Sequence, residues 1–380
     1  MSKNTLIIAT TSYAGMGPYV SEIVNSFGYE DSIYFFFYET EDLYFTKNIK
    51  PELKSKSVFY RFDNSWFHKL KYLLFKKMAA HQQILRFCQE KNVSVVHFIN
   101  GPGNLLLIKN LKMKGIKTIS TIHDLHPHEA NKEWYKMIRM RILYSMLLKS
   151  IEFDSYFITN SNIQYKEFQE MYPDKQIFYH SFPSLVSKSI KDGQDVVPEL
   201  HNAELPYILF FGRIEEYKGL SLLYDVFSGN PALYNNYSLV VAGCGRLPVM
   251  KYTKNTIIIN RYIKDTEIAY LYKNACCVVY PYISATQSGV LSLTFYFKTP
   301  VIVSDVPYFR SIIKPYQNGV LFKTGNKYDL EQKLMQVLEQ DNIRKRICQN
   351  GWEYFQANFS GIAIRKNLKS IYGSLMDKYY

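Results

Sequence analysis

The stretch YPYISATQSGVLSLTFYFKTPVIVSD, residues 280–305, decides how the chain is read. A β-branched run ending at Tyr280 leads into a polar turn, SATQSG, then into residues of helical apolar spacing, then Pro300 and the strand VIVS. Strand, loop, helix and strand in that order belong to a parallel sheet, whose crossover aims the N-terminus of the helix, near Gln287 to Val290, at whatever lies beyond the strand ends. Free N–H groups and the positive end of the helix dipole favour an anion there, most often a phosphate. An ordinary βα turn with no ligand has the same local pattern.

The neighbouring segments repeat this alternation. YILFFG (207–212) precedes RIEEYKG and a helix from Leu220; SLVVAG (238–243) precedes CGR; NTIIIN (255–260) precedes RYIKD and the helix TEIAYLYKNA; GVLF (319–322) follows the opening unit. The first half alternates likewise. TLIIAT (5–10) is followed by TSYAGMG and a helix opening with Pro18, then come SIYFFFY, a strand at 57–61, SVVHFIN (94–100), KTISTIHD (117–124) and a strand at 155–159. The polar segment 184–205 has no strong period. The predicted fold class is therefore α/β, with two Rossmann-like, doubly wound domains facing each other across a cleft. Expected boundaries are a first domain at 1–184, a linker at 185–206, a second domain at 207–351, and a helical segment at 352–380 that crosses back to the first domain.

At 380 residues the chain is long for one core, and its 47% hydrophobic content excludes a disordered chain. No apolar run approaches the roughly 18 residues a membrane span needs, and no leader precedes a cleavage site, so a cytoplasmic protein is expected. Five cysteines form no CxxC pair and have no metal-ligand spacing with the histidines, which fits reduced thiols. The net charge of +13 is unevenly placed: residues 51–150 hold 18 Lys/Arg against 6 Asp/Glu, and the rest of the chain is nearly neutral. Within that region, residues 66–90 carry Lys69, Lys71, Lys76 and Lys77 among apolar positions, and 133–149 carry Lys136, Arg139, Arg141 and Lys149. Two basic amphipathic helices point to an anionic membrane surface; core helices with solvated basic faces are the alternative. No recognisable nucleic-acid module accompanies the charge, so no nucleic-acid partner is expected.

The ordered motifs of the second half carry a resemblance. FGRIEEYKG (211–219) is similar to the G-R-x(4)-K-G segment of family 4 of the glycosyltransferases, AGCGR (242–246) to its A-G-x-G turn, and TPVIVSDVPYFRSIIKPYQNGVLF (299–322) to its closing pattern. The likeness is close over 207–335 and loose in the first domain, through SYAGMG and the IHD of 122–124. It implies the GT-B architecture and a retaining transfer of a sugar from a UDP- or GDP-linked donor to a hydroxyl of a lipid-linked or polysaccharide acceptor, in cell-surface glycan biosynthesis. It also implies no cofactor, and, with no D-x-D motif, no metal. The place of action would be the inner face of the cell membrane.

By that resemblance, Arg213 and Lys218 stabilise the departing diphosphate, the alternative for each being a surface ion pair with Glu215 or Glu216. Gly15, Gly17, Gly212 and Gly243 let backbone approach the donor, and Ser288, Gly289 and Val290 offer N–H groups. Tyr262 lies where the family holds the base, largely through backbone groups. His123 would bond a sugar hydroxyl or the acceptor, or else be a buried structural histidine, and Asp124 would contact the acceptor or cap a helix. His97, His126 and His128 are weaker candidates.

One departure stands out. The family carries two glutamates, one beside the donor sugar and one on the ribose, where this chain has Thr286 and Thr294. With Gln287 they are expected to contact the donor, although threonine brings no charge and a shorter reach. The loss of both acids leaves open a catalytically silent homologue that binds a nucleotide sugar or a partner glycosyltransferase.

Overall fold

The computed structural model describes residues 3–12, 16–61, 77–101, 103–125, 134–249, 253–285 and 288–377. The chain forms two compact units, Met1–Pro183 with Gly361–Tyr380, and Ser184–Ser360. Gly15, Thr286, Gln287, His126, His128, Lys69, Lys71 and Lys76 lie outside the described residues.

The first unit is built on seven parallel strands: β1 (Asn4–Ala9), β2 (Ile33–Glu39), β3 (Ser57–Arg61), β4 (Val93–Phe98), β5 (Lys117–Ile122), β6 (Tyr156–Thr159) and β7 (Gln176–Tyr179). Their order in the sheet is β3-β2-β1-β4-β5-β6-β7. Strands such as LIIA are buried on both faces, which is why they read as continuous apolar runs rather than alternating ones. On one face, α1 (Met16–Ser26) packs over Ile7, Phe35 and Val95. On the other lie α2 (Lys77–Glu90), α3 (Leu105–Met113), α4 (Trp134–Phe153) and α5 (Asn162–Met171).

The second unit has six parallel strands: β8 (Tyr207–Phe211), β9 (Ser238–Ala242), β10 (Thr256–Ile259), β11 (Ala275–Tyr280), β12 (Val301–Ser304) and β13 (Val320–Phe322), ordered β10-β9-β8-β11-β12-β13. Its main helices are α6 (Leu220–Gly229), α7 (Asp265–Lys273), α8 (Val290–Tyr296), α9 (Pro307–Tyr316), α10 (Lys327–Glu339) and α11 (Asp341–Tyr354). The strand order reverses direction at β1/β4 in one unit and at β8/β11 in the other. In open parallel sheets, ligands bind beyond the carboxyl ends of strands at such a point.

Residues 185–206 differ from the expected linker. Ser187 caps the short helix Lys188–Lys191, and Val186, Ile190, Val197 and Leu200 are buried in the core of the second unit. Ser187 and Asp265 share a 3.0 Å hydrogen bond. Short turns and a four-residue helix leave no period to read, yet each contributes one apolar anchor. At the far end, Tyr354 and Phe359 still pack on Phe295, and Phe355 on Tyr296, in the second unit. The chain rejoins the first unit at Gly361, not at residue 352.

There α12 (Gly361–Asp377) lies on the same sheet face as α1. Buried Asp31 receives Lys369 at 2.6 Å and Arg365 at 2.8 Å. In the sheet, His97 joins Tyr372 Oη at 2.7 Å and Thr121 Oγ1 at 2.8 Å. His97 is thus a buried structural group that ties the last helix to β4, its basicity pushed down to about 3 chiefly by burial.

Candidate functional site

In the second unit the carboxyl ends of β8, β9 and β11 converge on a few glycines and one buried cation. Gly212 (φ 117°) and Gly243 (φ 147°) end β8 and β9 in backbone conformations that favour glycine. A Cβ on Gly243 would stand 2.0 Å from the Gly212 carbonyl oxygen, so this approach requires glycine. Beyond it the ladder continues as a bridge between Ile214 and Gly245, with Ile214 N–H donating to Cys244 O and Arg246 N–H to Ile214 O. Asn260 closes the clamp, accepting from Gly245 N–H at 3.0 Å and donating to Gly245 O at 3.2 Å.

Lys218 ends a single turn of 3-10 helix, Glu216–Lys218, and Gly219 (φ 67°) then opens α6. A Cβ on Gly219 would meet the Pro281 carbonyl oxygen at 2.0 Å, and Ile283 N–H donates to Tyr217 O at 2.7 Å. The loop after β8 is therefore pinned against the loop after β11. This holds the Lys218 side chain inside, 7% exposed. Its Nζ lies 5.5 Å from the Tyr282 ring centre, over the face of an aromatic ring that favours a cation. A Cβ on Gly212 would come within 3.1 Å of this Nζ and 3.8 Å of Val290, so the glycine leaves a gap beside the ammonium. Among the described residues no carboxylate or hydrogen-bond acceptor holds Nζ. Burial, reinforced by the Arg213 charge and opposed by Glu215, pushes its basicity down to about 8.

Arg213 is exposed and forms a 3.2 Å ion pair with Glu215, the surface pairing that the sequence left as the alternative. An exposed pair is worth at most about 1 kcal/mol and is readily exchanged for a stronger anion. Arg213 and Arg246 also line an open groove of about 670 Å³ with Ser221, Cys244 and Leu247.

The α8 end is organised differently from expectation. Val290, its first residue, faces the gap beside Gly212, and Ser288 is half-buried. Gly289 has an ordinary helical backbone, and its missing Cβ would meet Leu185 at 2.7 Å, so this glycine makes room for that side chain. Thr294 is fully buried. Its hydroxyl donates to Val290 O at 3.1 Å and lies 2.9 Å from Tyr280 Oη, which joins Tyr272 Oη at 3.0 Å. Thr294 thus faces the core, because α8 turns this position toward β11.

Tyr262 projects its ring outward, 76% exposed. Its loop is held by Arg261, which forks onto Glu199 (2.7 and 2.9 Å) and Glu267 (2.8 and 2.8 Å) and donates to Tyr262 O at 3.2 Å. Sequence reading missed this clamp because Glu199 is distant in the chain, and it missed Asn260, whose only signal is a polar residue ending a strand.

In the first unit, His123 follows β5, donates through Nε2 to Ile99 O (2.9 Å), and sets its ring edge-on to Tyr19 at 4.9 Å. A carbonyl only accepts, so Nε2 carries the proton, and burial holds the ring neutral at physiological pH. Asp124 is half-buried beside it. A Cβ on Gly17 would strike the Tyr44 ring at 2.7 Å; this glycine lets α1 pack closely on the helix that carries Tyr44.

Comparison with known proteins fits this geometry. Residues 194–353 match the family described as glycosyl transferases group 1. A phosphatidyl-myo-inositol mannosyltransferase of Mycobacterium leprae is 26% identical over 152 residues, 38% of this chain and 41% of that relative. The alignment thus spans less than half of that relative's length. Among solved structures, sucrose-phosphate synthase from Thermosynechococcus elongatus superposes with a TM-score of 0.67 at 15% identity, covering 99% of this chain and 100% of that one. Anabaena HepE in complex with UDP-glucose superposes with a TM-score of 0.64 at 12% identity, covering 98% and 100%. The chain therefore has the fold of GT-B glycosyltransferases, two parallel-sheet α/β domains, and most of its second unit matches the glycosyl transferases group 1 family.

Proposed function

We propose that the protein is a metal-independent glycosyltransferase that moves a hexosyl group from a UDP- or GDP-sugar to a hydroxyl of a lipid-linked or polysaccharide acceptor, with retention, in the cytoplasm. The carrying observation is Lys218: a buried ammonium with no described carboxylate partner, beside a gap that Gly212 keeps open. A cation in such a place is stabilised by an anionic ligand, and a diphosphate supplies it. The mannosyltransferase relative and the UDP-glucose bound by HepE support a nucleotide-sugar donor.

In the reaction the bond between the anomeric carbon and the diphosphate oxygen breaks, the acceptor oxygen bonds that carbon, and its proton leaves to a phosphate oxygen. Negative charge builds on the diphosphate. Lys218 meets it as a point charge and Arg213, released from Glu215, as a planar fork. Arg213→Ala or Lys218→Ala lowers turnover roughly 100-fold or more, the scale of losing one preorganised donor. Turnover close to the parent's in either variant refutes that residue's role.

A silent, nucleotide-sugar-binding homologue is favoured by one observation: Thr294, at a position where the family carries a glutamate, spends its hydroxyl in the core. Assaying transfer and donor hydrolysis across a panel of UDP- and GDP-sugars separates the two readings. Product formation supports the enzyme. Donor-induced thermal stabilisation with neither activity supports the silent binder.

A further inference from the structure

We propose that the outer face of α3 and α4 docks on the anionic surface of a lipid bilayer. Four of the eight large apolar side chains exposed on the first unit's described residues, Leu106, Met113, Leu148 and Phe153, lie on these two helices. Leu106 is 55% and Met113 78% exposed. On α3, Leu106, Lys109 and Met113 follow a spacing of i, i+3, i+7, which places them on one stripe. The α4 side is joined to it directly: Lys109 Nζ lies 4.4 Å from the Phe153 ring centre, and Lys112 donates to Phe153 O.

The charges on these helices are mostly of one sign. Lys109, Lys114, Arg141 and Lys149 are exposed and form no ion pair with the described residues, while Lys112 is engaged by buried Asp154 at 3.9 Å. Glu152 is the one exposed acid among the described side chains of the two helices. Apolar side chains interleaved with unpaired cations match the boundary between headgroups and acyl chains, where phosphate meets the cation and the apolar group enters the lipid. A nucleic acid would use the cations but gain nothing from Leu106 and Met113. The sequence placed its basic amphipathic helices at 66–90 and 133–149; α3 becomes part of the surface only once the fold sets it against α4. Leu106 lies in the first turn of α3, after the loop holding Ile99, whose carbonyl bonds His123, so the surface borders the carboxyl edge of this sheet.

The test is sedimentation of the full chain with vesicles of phosphatidylcholine alone and with added phosphatidylglycerol. The parent binds the anionic vesicles and leaves the neutral ones in solution. Lys109→Glu with Lys149→Glu lowers partitioning about 100-fold or more, at about 1 kcal/mol per charge near the surface. Leu106→Ser with Met113→Ser lowers it about tenfold or more by removing buried apolar area, with binding to duplex DNA unchanged. Lys109→Arg with Lys149→Arg keeps parental binding, and UDP-induced thermal shifts stay the same in all variants, which separates this surface from the donor site. Equal binding to neutral vesicles, or a serine pair that partitions like the parent, overturns the proposal.

Discussion

Replacing Lys218 with methionine should make the free protein more stable while abolishing its response to nucleotide. The side chain is almost fully buried, and its basicity is lowered from near 10.5 to about 8. The unfolded chain holds this proton up to about pH 10.5 and the folded chain only to about pH 8. Keeping the ammonium charged inside therefore destabilises the folded state at neutral pH. The gap, at about 1.4 kcal/mol per pH unit, amounts to about 3 kcal/mol. Between those two pH values the unfolded state binds more protons, so the parent's stability rises with pH across that window. Methionine fills a similar volume without the charge. At pH 7, Lys218→Met should raise the unfolding transition of Ser184–Ser360 by roughly 5–10 °C. Its advantage should shrink as pH climbs from 8 toward 10.5. Melting curves at pH 7, 8.5 and 10, each with and without UDP or GDP, measure both effects. A methionine variant less stable than the parent at pH 7 would show that the ammonium has a protein partner that stabilises it. One that keeps the nucleotide shift would remove Lys218 from the phosphate site.

Gly212→Ala forces a side chain into a φ of 117° and crowds the Lys218 ammonium; a loss of about 1–3 kcal/mol and of nucleotide-induced stabilisation is expected by thermal shift. Burial lowers the basicity of His97 to about 3 and of His180 to about 4. The unfolded chain binds these protons first as pH falls below 6.5, so the stability of the first unit should drop by about 2–3 kcal/mol between pH 6.5 and 5. His97→Gln should flatten that dependence in pH-resolved melts. Arg261→Ala strands buried Glu267 and should destabilise by about 3–5 kcal/mol. Arg261→Lys should recover little of this in urea titrations, because one ammonium cannot fork onto two carboxylates.

Much of the fold could be read from local pattern because parallel strands buried on both faces are unbroken apolar runs, and glycines mark the loops between them. Residues 185–206 were misread for the converse reason. Their apolar anchors are spaced by turns, and only packing against α7 and the sheet gives them a place in the second unit. Similar logic divides the site. Motif spacing alone singled out Gly212, Gly243 and Lys218, because it fixes their order along the chain; their convergence at the strand ends is a tertiary feature. Gly289 and Gly17 were read as ligand-approach glycines; only the structure shows that a Cβ there would also meet Leu185 and Tyr44.

By itself, the sequence determined the α/β alternation, the two halves, the basic stretch, and the residue types available for holding a diphosphate. Those follow from periodicity, turn chemistry and composition, which are local. Burial and direction were decided by the tertiary structure alone. Whether Lys218 is a surface charge or an interior one depends on Gly219 meeting Pro281 across 62 residues of chain. Whether Thr294 faces a ligand or the core depends on how α8 is rotated against Tyr280 on β11. Such contacts join segments far apart in the chain, and no local pattern encodes which face of an element will be covered.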